Sequence, residues 1–156
     1  MGGVEVSYIA PTAVVSESAR VSGSARVGGS AVVGGSARVS GSARVSGSAR
    51  VGGLARVGGS AVVGGSAVIC GHGRVSTAGD YLTLGPAISS GRTTTVHRDA
   101  KIGWRVNCGC FSGTVEEFEA AINETHKDNV IAHAQYTVFL ALIRGHIRIM
   151  DAENKK

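Results

Sequence analysis

Four arginines at a constant interval of eighteen residues, Arg20, Arg38, Arg56 and Arg74, are the side chains best placed to do chemistry together. A guanidinium is a planar fork of donors that grips phosphate or carboxylate oxygens in two places, so a row of them can hold an anion. A second group, Arg92, Thr93 and Arg98, packs donors into one short stretch behind the turn residues Ser89-Ser90-Gly91, and suits a phosphate or a nucleotide base. Each has a plainer reading: a solubilising charged face for the first, and a solvated edge strand for the second.

The reactive residue types are less organised. Cys108 and Cys110 alternate like neighbours on one strand face, and His72, His97, His126 and His133 supply imidazoles. Zinc sites use C-x₂₋₄-C pairs with matched partners, so C-x-C points to reduced, buried thiols rather than a metal. Cys110 precedes a helix opened by Thr114, where the helix dipole favours a thiolate, but no histidine is placed locally as its base. The glycines do not spell a phosphate loop, since G-x-x-x-x-G-K-[ST] is absent. No catalytic residue, metal or cofactor is expected.

The interval of eighteen is three times a shorter one. Ile9, Val15, Val21, Val27, Val33, Val39, Val45, Val51, Val57, Val63, Ile69 and Val75 recur every six residues. Alanine stands two places before most of them, from Ala13 to Ala67, and glycine two places after, from Gly23 to Gly71. A period of six excludes helical seams and a plain strand. Within a hexad, residues two apart share a strand face, so Ala25 and Val27 point inward and Arg26 outward, while Gly29 turns the corner. Three sides then close one triangular coil of eighteen residues, and coils stack ~4.8 Å apart.

Sorting the outward residues by eighteen gives three unlike faces. One reads Arg20, Arg38, Arg56, Arg74; the second Tyr8, Arg26, Arg44, Val62; the third Val14, Val32, Arg50, Val68. Exposed apolar rows mark interfaces, so Val14, Val32 and Val68 are the expected subunit contact.

These hexads resemble the hexapeptide-repeat left-handed parallel β-helix, with an aliphatic residue inward and a small residue two before it. A right-handed β-helix of the bactofilin kind has coils of similar length. The resemblance implies parallel prisms assembled as a trimer, with ligands held in clefts between them. Enzymes of that family are acyltransferases using coenzyme A and a histidine base near a cleft or inserted loop. Here the coils run without an insertion, and His72 in the last coil reads better as a cap residue than as a base.

The period ends after Val75, dividing the chain into a β-helix over residues 7–78 and an α+β module over 79–156. Tyr81 to Leu84, Thr93 to Arg98 and Ile102 to Cys108 read as short strands. Thr114-Val115-Glu116-Glu117 is a capping box opening a helix that buries Val115, Phe118 and Ile122. A second helix follows Asp128-Asn129, with Ile131, Ala134, Val138 and Leu142, running on toward Ile149, as its apolar positions. Phe111, Phe118, Phe139 and Trp104 are the expected core. Tyr81-Leu82-Thr83-Leu84-Gly85-Pro86, Arg92 to Arg98, Cys108 to Phe118 and Glu124 to Asn129 resemble the C-terminal module of phage and prophage proteins that also carry N-terminal hexads. That resemblance implies a phage-type origin and assigns no catalytic residue.

A net charge of +5 favours anionic partners. Three cysteines without framework spacing suit a reducing, cytoplasmic setting, and neither a signal peptide nor a membrane span is expected. Sequence-specific nucleic-acid recognition is disfavoured, because no reading helix is evident and the arginines lack aromatic partners. The expectation is a homotrimeric, non-enzymatic binding protein for an anionic small molecule or a host protein, in one version a sponge for a nucleotide signal. The alternatives are an acyltransferase and a polymer-forming structural protein.

Overall fold

The computed structural model describes residues 6–153. Twelve two-residue strands, β1–β12, run from Tyr8–Ile9 to Arg74–Val75, one per hexad. They form three parallel four-stranded sheets in which each strand pairs with the one three hexads later. This is a parallel β-solenoid of about four coils. Its core is a column of alanine and aliphatic side chains, from Ala25 and Val27 to Ile69 and Val75, with exposures of 0–1%. The small residue leaves room for the branched one across the narrow triangle, which is why rings are absent from it.

Corners depend on backbone that only glycine adopts freely. Gly47 has φ 67°, and a Cβ there would lie 2.9 Å from both the nitrogen and the oxygen of Gly65 in the next coil. Gly65 has φ 62°, yet a Cβ on it would meet nothing within 4 Å. One corner is therefore restricted by both conformation and space, the other by conformation alone.

The last coil has no successor, and an antiparallel sheet takes that place. Its strands β13 (Tyr81–Leu84), β14 (Thr94–Asp99), β15 (Gly103–Cys108) and β16 (Phe111–Gly113) lie in sequence order. Residues 95, 97 and 99 of β14 share one face. The amide of Val68 donates to Thr95 Oγ1 at 3.1 Å, that of Cys70 to His97 Nε2 at 3.3 Å and that of His72 to Asp99 Oδ2 at 3.1 Å. Carbonyls are met too: Asn107 Nδ2 donates to Val68 O at 3.1 Å, and the Tyr81 hydroxyl to Val62 O at 2.7 Å. Side chains thus replace the ladder bonds of a missing coil.

Two helices cover the other face of that sheet. The first, α1 (Val115–Thr125), opens with the anticipated capping box: Thr114 Oγ1 accepts from the Glu117 amide at 3.2 Å, and Glu117 Oε2 from the Thr114 amide at 2.8 Å. The second, α2 (Val130–Glu153), is capped by Asn129 Oδ1, which accepts from the Ala132 amide at 3.0 Å. Val96, Trp104, Val106, Phe118, Ile122, Tyr136, Phe139, Leu140 and Ile143 form this second core. No described helix is long and apolar enough to cross a membrane.

Two expectations are corrected and one element is added. Cys108 and Cys110 do not share a strand face, because Gly109 (φ 60°) and Cys110 form the two-residue turn of the β15–β16 hairpin. Phe111–Gly113 is a fourth strand of the cap, beyond the three expected. On α2 the apolar positions Ile131, Val138, Leu142 and Ile149 are 51–70% exposed, and Ala132, Tyr136, Phe139, Leu140 and Ile143 are buried instead. That helix is apolar around most of its circumference, so period alone cannot choose its inward side; the aromatic rings of Tyr136 and Phe139, which fill more volume, decide it.

Gly65→Ala should lower stability by about 1–2 kcal/mol, the cost of forcing a Cβ into the left-handed region. Gly47→Ala should lower it further, because its Cβ also meets the next coil's backbone. Urea unfolding of the two variants checks this; equal midpoints would refute the steric part.

Candidate functional site

Along one side of the prism the Cα partners are Arg20 with Arg38, Arg38 with Arg56, and Arg56 with Arg74. The expected ladder is therefore in register, and all four side chains are exposed. Among the described residues none of the four enters an ion pair; the paired arginines are Arg98, Arg105 and Arg144. Neighbouring guanidinium groups at ladder spacing repel by roughly 1 kcal/mol per pair in water, which an anion lying across them would offset.

Near the cap the ladder borders a groove of about 200 Å³ lined by Ser36, Arg38, Leu54, Arg56, His72, Arg74 and Ala100. At the other end Arg20 and Arg38 flank a more open hollow with Ser22 and Ser40. Leu54, 54% exposed, stands where most hexads carry serine and adds an apolar rim. His72 is fixed there by its backbone, whose amide donates to Asp99 and whose carbonyl accepts from the Ala100 amide at 3.0 Å. The groove thus combines three cationic forks, one imidazole and one serine hydroxyl. It can hold an anion; among the described residues no His/Cys/Asp/Glu cluster suited to a metal occurs anywhere.

Charged and polar groups of the cap bond to this end of the prism. Asp99 is 4% exposed, and Arg105 Nε donates to its Oδ2 at 2.7 Å. Burial would raise the Asp99 carboxyl, but hydrogen bonds from Arg105, the Lys101 amide and the His72 amide outweigh it and hold the group at about 2. His97 is fully buried. Because Nε2 accepts from Cys70, the ring proton sits on Nδ1, 2.9 Å from the Arg98 carbonyl oxygen it donates to. Burial is the largest influence on His97 and lowers its pKa, so the neutral ring that the cap needs is the favoured one.

The second expected cluster is not brought together. Arg92 precedes β14 and Arg98 lies near its far end, some six residues on, or roughly 20 Å along an extended chain. Arg98 is a clamp: it contacts Asp80 at 3.1 Å and Asp151 at 3.1 Å, donates to the Met150 carbonyl, and lies 4.5 Å above the Trp104 ring. Its fork is committed to joining the prism's end, the sheet and α2. Thr93 is half-buried and Arg92 exposed. On the third prism face Val14 is 57% exposed, while Val32 and Val68 are half-buried. The cap residues Thr95, His97 and Asp99 are the ones sequence reasoning missed; three polar side chains alternating along one strand were the available signal.

The sign of one pH effect follows. In the unfolded chain His97 takes up a proton near 6.5, whereas the folded protein resists it, so stability present above pH 6.5 is lost as pH falls through the lowered folded value. His97→Gln, whose side-chain oxygen can still accept from Cys70, should remove that part of the slope. The Asp99 contribution is separate, being lost only as pH falls from 3.8 toward about 2. Thermal melts between pH 8 and 5 of both proteins check this, and an unchanged slope would refute it.

Comparisons with protein-family models, with curated proteins and with solved structures found no match.

Proposed function

We propose that this chain is a non-enzymatic binding protein that works as an oligomer and holds a multiply charged anion along its arginine ladder. The carrying observation is the in-register row Arg20, Arg38, Arg56 and Arg74, exposed and without an ion pair among the described residues. Forks repeated at ~4.8 Å suit an anion with several charged groups, such as a linear oligophosphate or a nucleotide. The resemblance of the C-terminal module to phage proteins supports a phage-type origin, in which the protein acts in the host cytoplasm as a sponge for a phosphorylated signal or as a ligand for a host protein.

The acyltransferase reading draws on His72, which the groove does contain. It lacks an orienting partner for that imidazole among the described residues, since only the backbone of His72 is bonded. A polymer of stacked prisms is disfavoured at one end, where the cap occupies the edge that a following coil would need.

Calorimetry with tripolyphosphate and a panel of linear and cyclic nucleotides tests the ladder. Arg38→Ala/Arg56→Ala should weaken binding at least tenfold, and affinity should fall as salt rises, because exposed charges are screened. Binding equal to wild type, or none to any of these anions, would leave the arginines a solvated face and favour a protein partner. Robust acetyl transfer from acetyl-coenzyme A that His72→Ala abolishes would replace the proposal by the enzyme.

Assembly has its own test. If prisms pack through the valine face in a trimer, Val32→Asp/Val68→Asp should yield monomers in sedimentation, since burying facing carboxylates is costly. The exposed apolar row of α2 favours a second route, for which Val138→Asp/Leu142→Asp should dissociate the assembly instead. A monomeric wild-type protein would refute both.

A further inference from the structure

The second core leaves a hollow that shares no lining residue with the groove along the arginine ladder. It has a volume of about 380 Å³ and lies between the β15–β16 turn, α1 and α2. Phe118, Ile122 and Tyr136, each 3–4% exposed, form its floor, and Phe111 a side. Arg92 lines it from the exposed rim. At the lower end of the range of small-molecule pockets, this volume fits a compact ligand.

Its walls select for flat rings. Phe118 meets Tyr136 edge to face at 88° with centroids 6.0 Å apart, and Phe111 tilts against Phe118 at 43°. His126, which also lines the hollow, already stacks on Tyr136 at 15° with centroids 5.1 Å apart, so stacked and edge contacts to a ring both occur in this cluster. Thr125 and His126 add polar groups at the α1 end. The Tyr136 hydroxyl is already engaged, 3.1 Å from Ser90 Oγ and 3.7 Å from Cys108 Sγ, and burial above all keeps the phenol from ionising.

Arg92 supplies the charge. No carboxylate lines the hollow, and among the described residues Arg92 has no ion pair. Its side chain is folded across Gly109, where a Cβ would come within 2.9–3.0 Å of Arg92 Cδ, Nε and Nη1. The glycine of the hairpin turn therefore also makes the space in which this guanidinium lies beside the aromatic walls.

We propose that this hollow binds a small aromatic acid, with one planar ring system among Phe111, Phe118 and Tyr136 and one anionic group on Arg92. The site is separate from the ladder and does not depend on it. The shared chemistry, an aromatic ring bearing an anion, could be met by an arylcarboxylate or by a nucleoside monophosphate.

Titration of the full chain with indole-3-carboxylate, indole-3-carboxamide, adenosine 5′-monophosphate and adenosine separates these sources. At least one acid should bind, its neutral counterpart at least tenfold more weakly, and the tighter acid identifies the anionic group. Arg92→Ala, a change at an exposed side chain, should weaken the acid at least tenfold and leave the neutral compound unchanged. Ala121→Trp, which fills the hollow from α1, should abolish both. Arg38→Ala/Arg56→Ala should bind like wild type, so failure of the ladder and of this site are distinguishable. The proposal is overturned if neither acid binds, if acid and neutral compound bind alike, or if Arg92→Ala matches wild type while its circular dichroism is unaltered.

Discussion

Each coil of a solenoid satisfies its backbone by bonding to the next, and the final coil must bond to something that is not a coil. The rest of this molecule follows from that constraint. A buried amide without a partner costs roughly 1–3 kcal/mol, so three of them would consume a large share of the ~5–15 kcal/mol by which domains are stable. The chain meets the need with one strand. Thr95, His97 and Asp99 present an oxygen, a ring nitrogen and a carboxylate to the amides of Val68, Cys70 and His72. Once β14 is committed on that face, its opposite face must be covered, and the second core of sheet and helices is the covering.

The division of labour between the two cores is a matter of thickness. A triangle with two-residue sides has room for alanine and valine and none for an enclosed ligand. Anything that bound the prism would therefore meet only its outside, where outward residues repeat as rows. The cap module, with Phe111, Phe118, Tyr136 and Phe139 in mutual contact, is thick enough to leave a hollow. Rows of charge and enclosed rings thus sit on different parts of one chain because the parts differ in width.

The prism was legible in the sequence because every structural role has its own place in the hexad. Inward, outward and corner residues are spelled by Val27, Arg26 and Gly29, and the three faces sort as the pairing shows. The cap's short strands and two helices were legible too, from Tyr81–Leu84 and the Thr114 capping box, but its attachment to the prism was not, because that logic is complementarity to a backbone edge that carries no side-chain signature. Arg92 and Arg98 looked like one donor cluster, yet strand geometry separates them and Asp80 and Asp151 claim the second. On α2 the wrong apolar side was favoured, since Ile131 and Val138 fit a helical stripe as well as Tyr136 and Phe139 do.

The cap touches the prism's last coil chiefly through main-chain atoms, and this sets a ruler for the chain's length. Duplication or loss of eighteen residues would return every row to its own side and offer β14 the same edge, adding or removing one arginine rung. Gain or loss of six would turn the prism by a third of a revolution beneath its cap, and the groove beside His72 would be lined by another side's residues. Evolution can lengthen such a protein freely, but only by whole storeys.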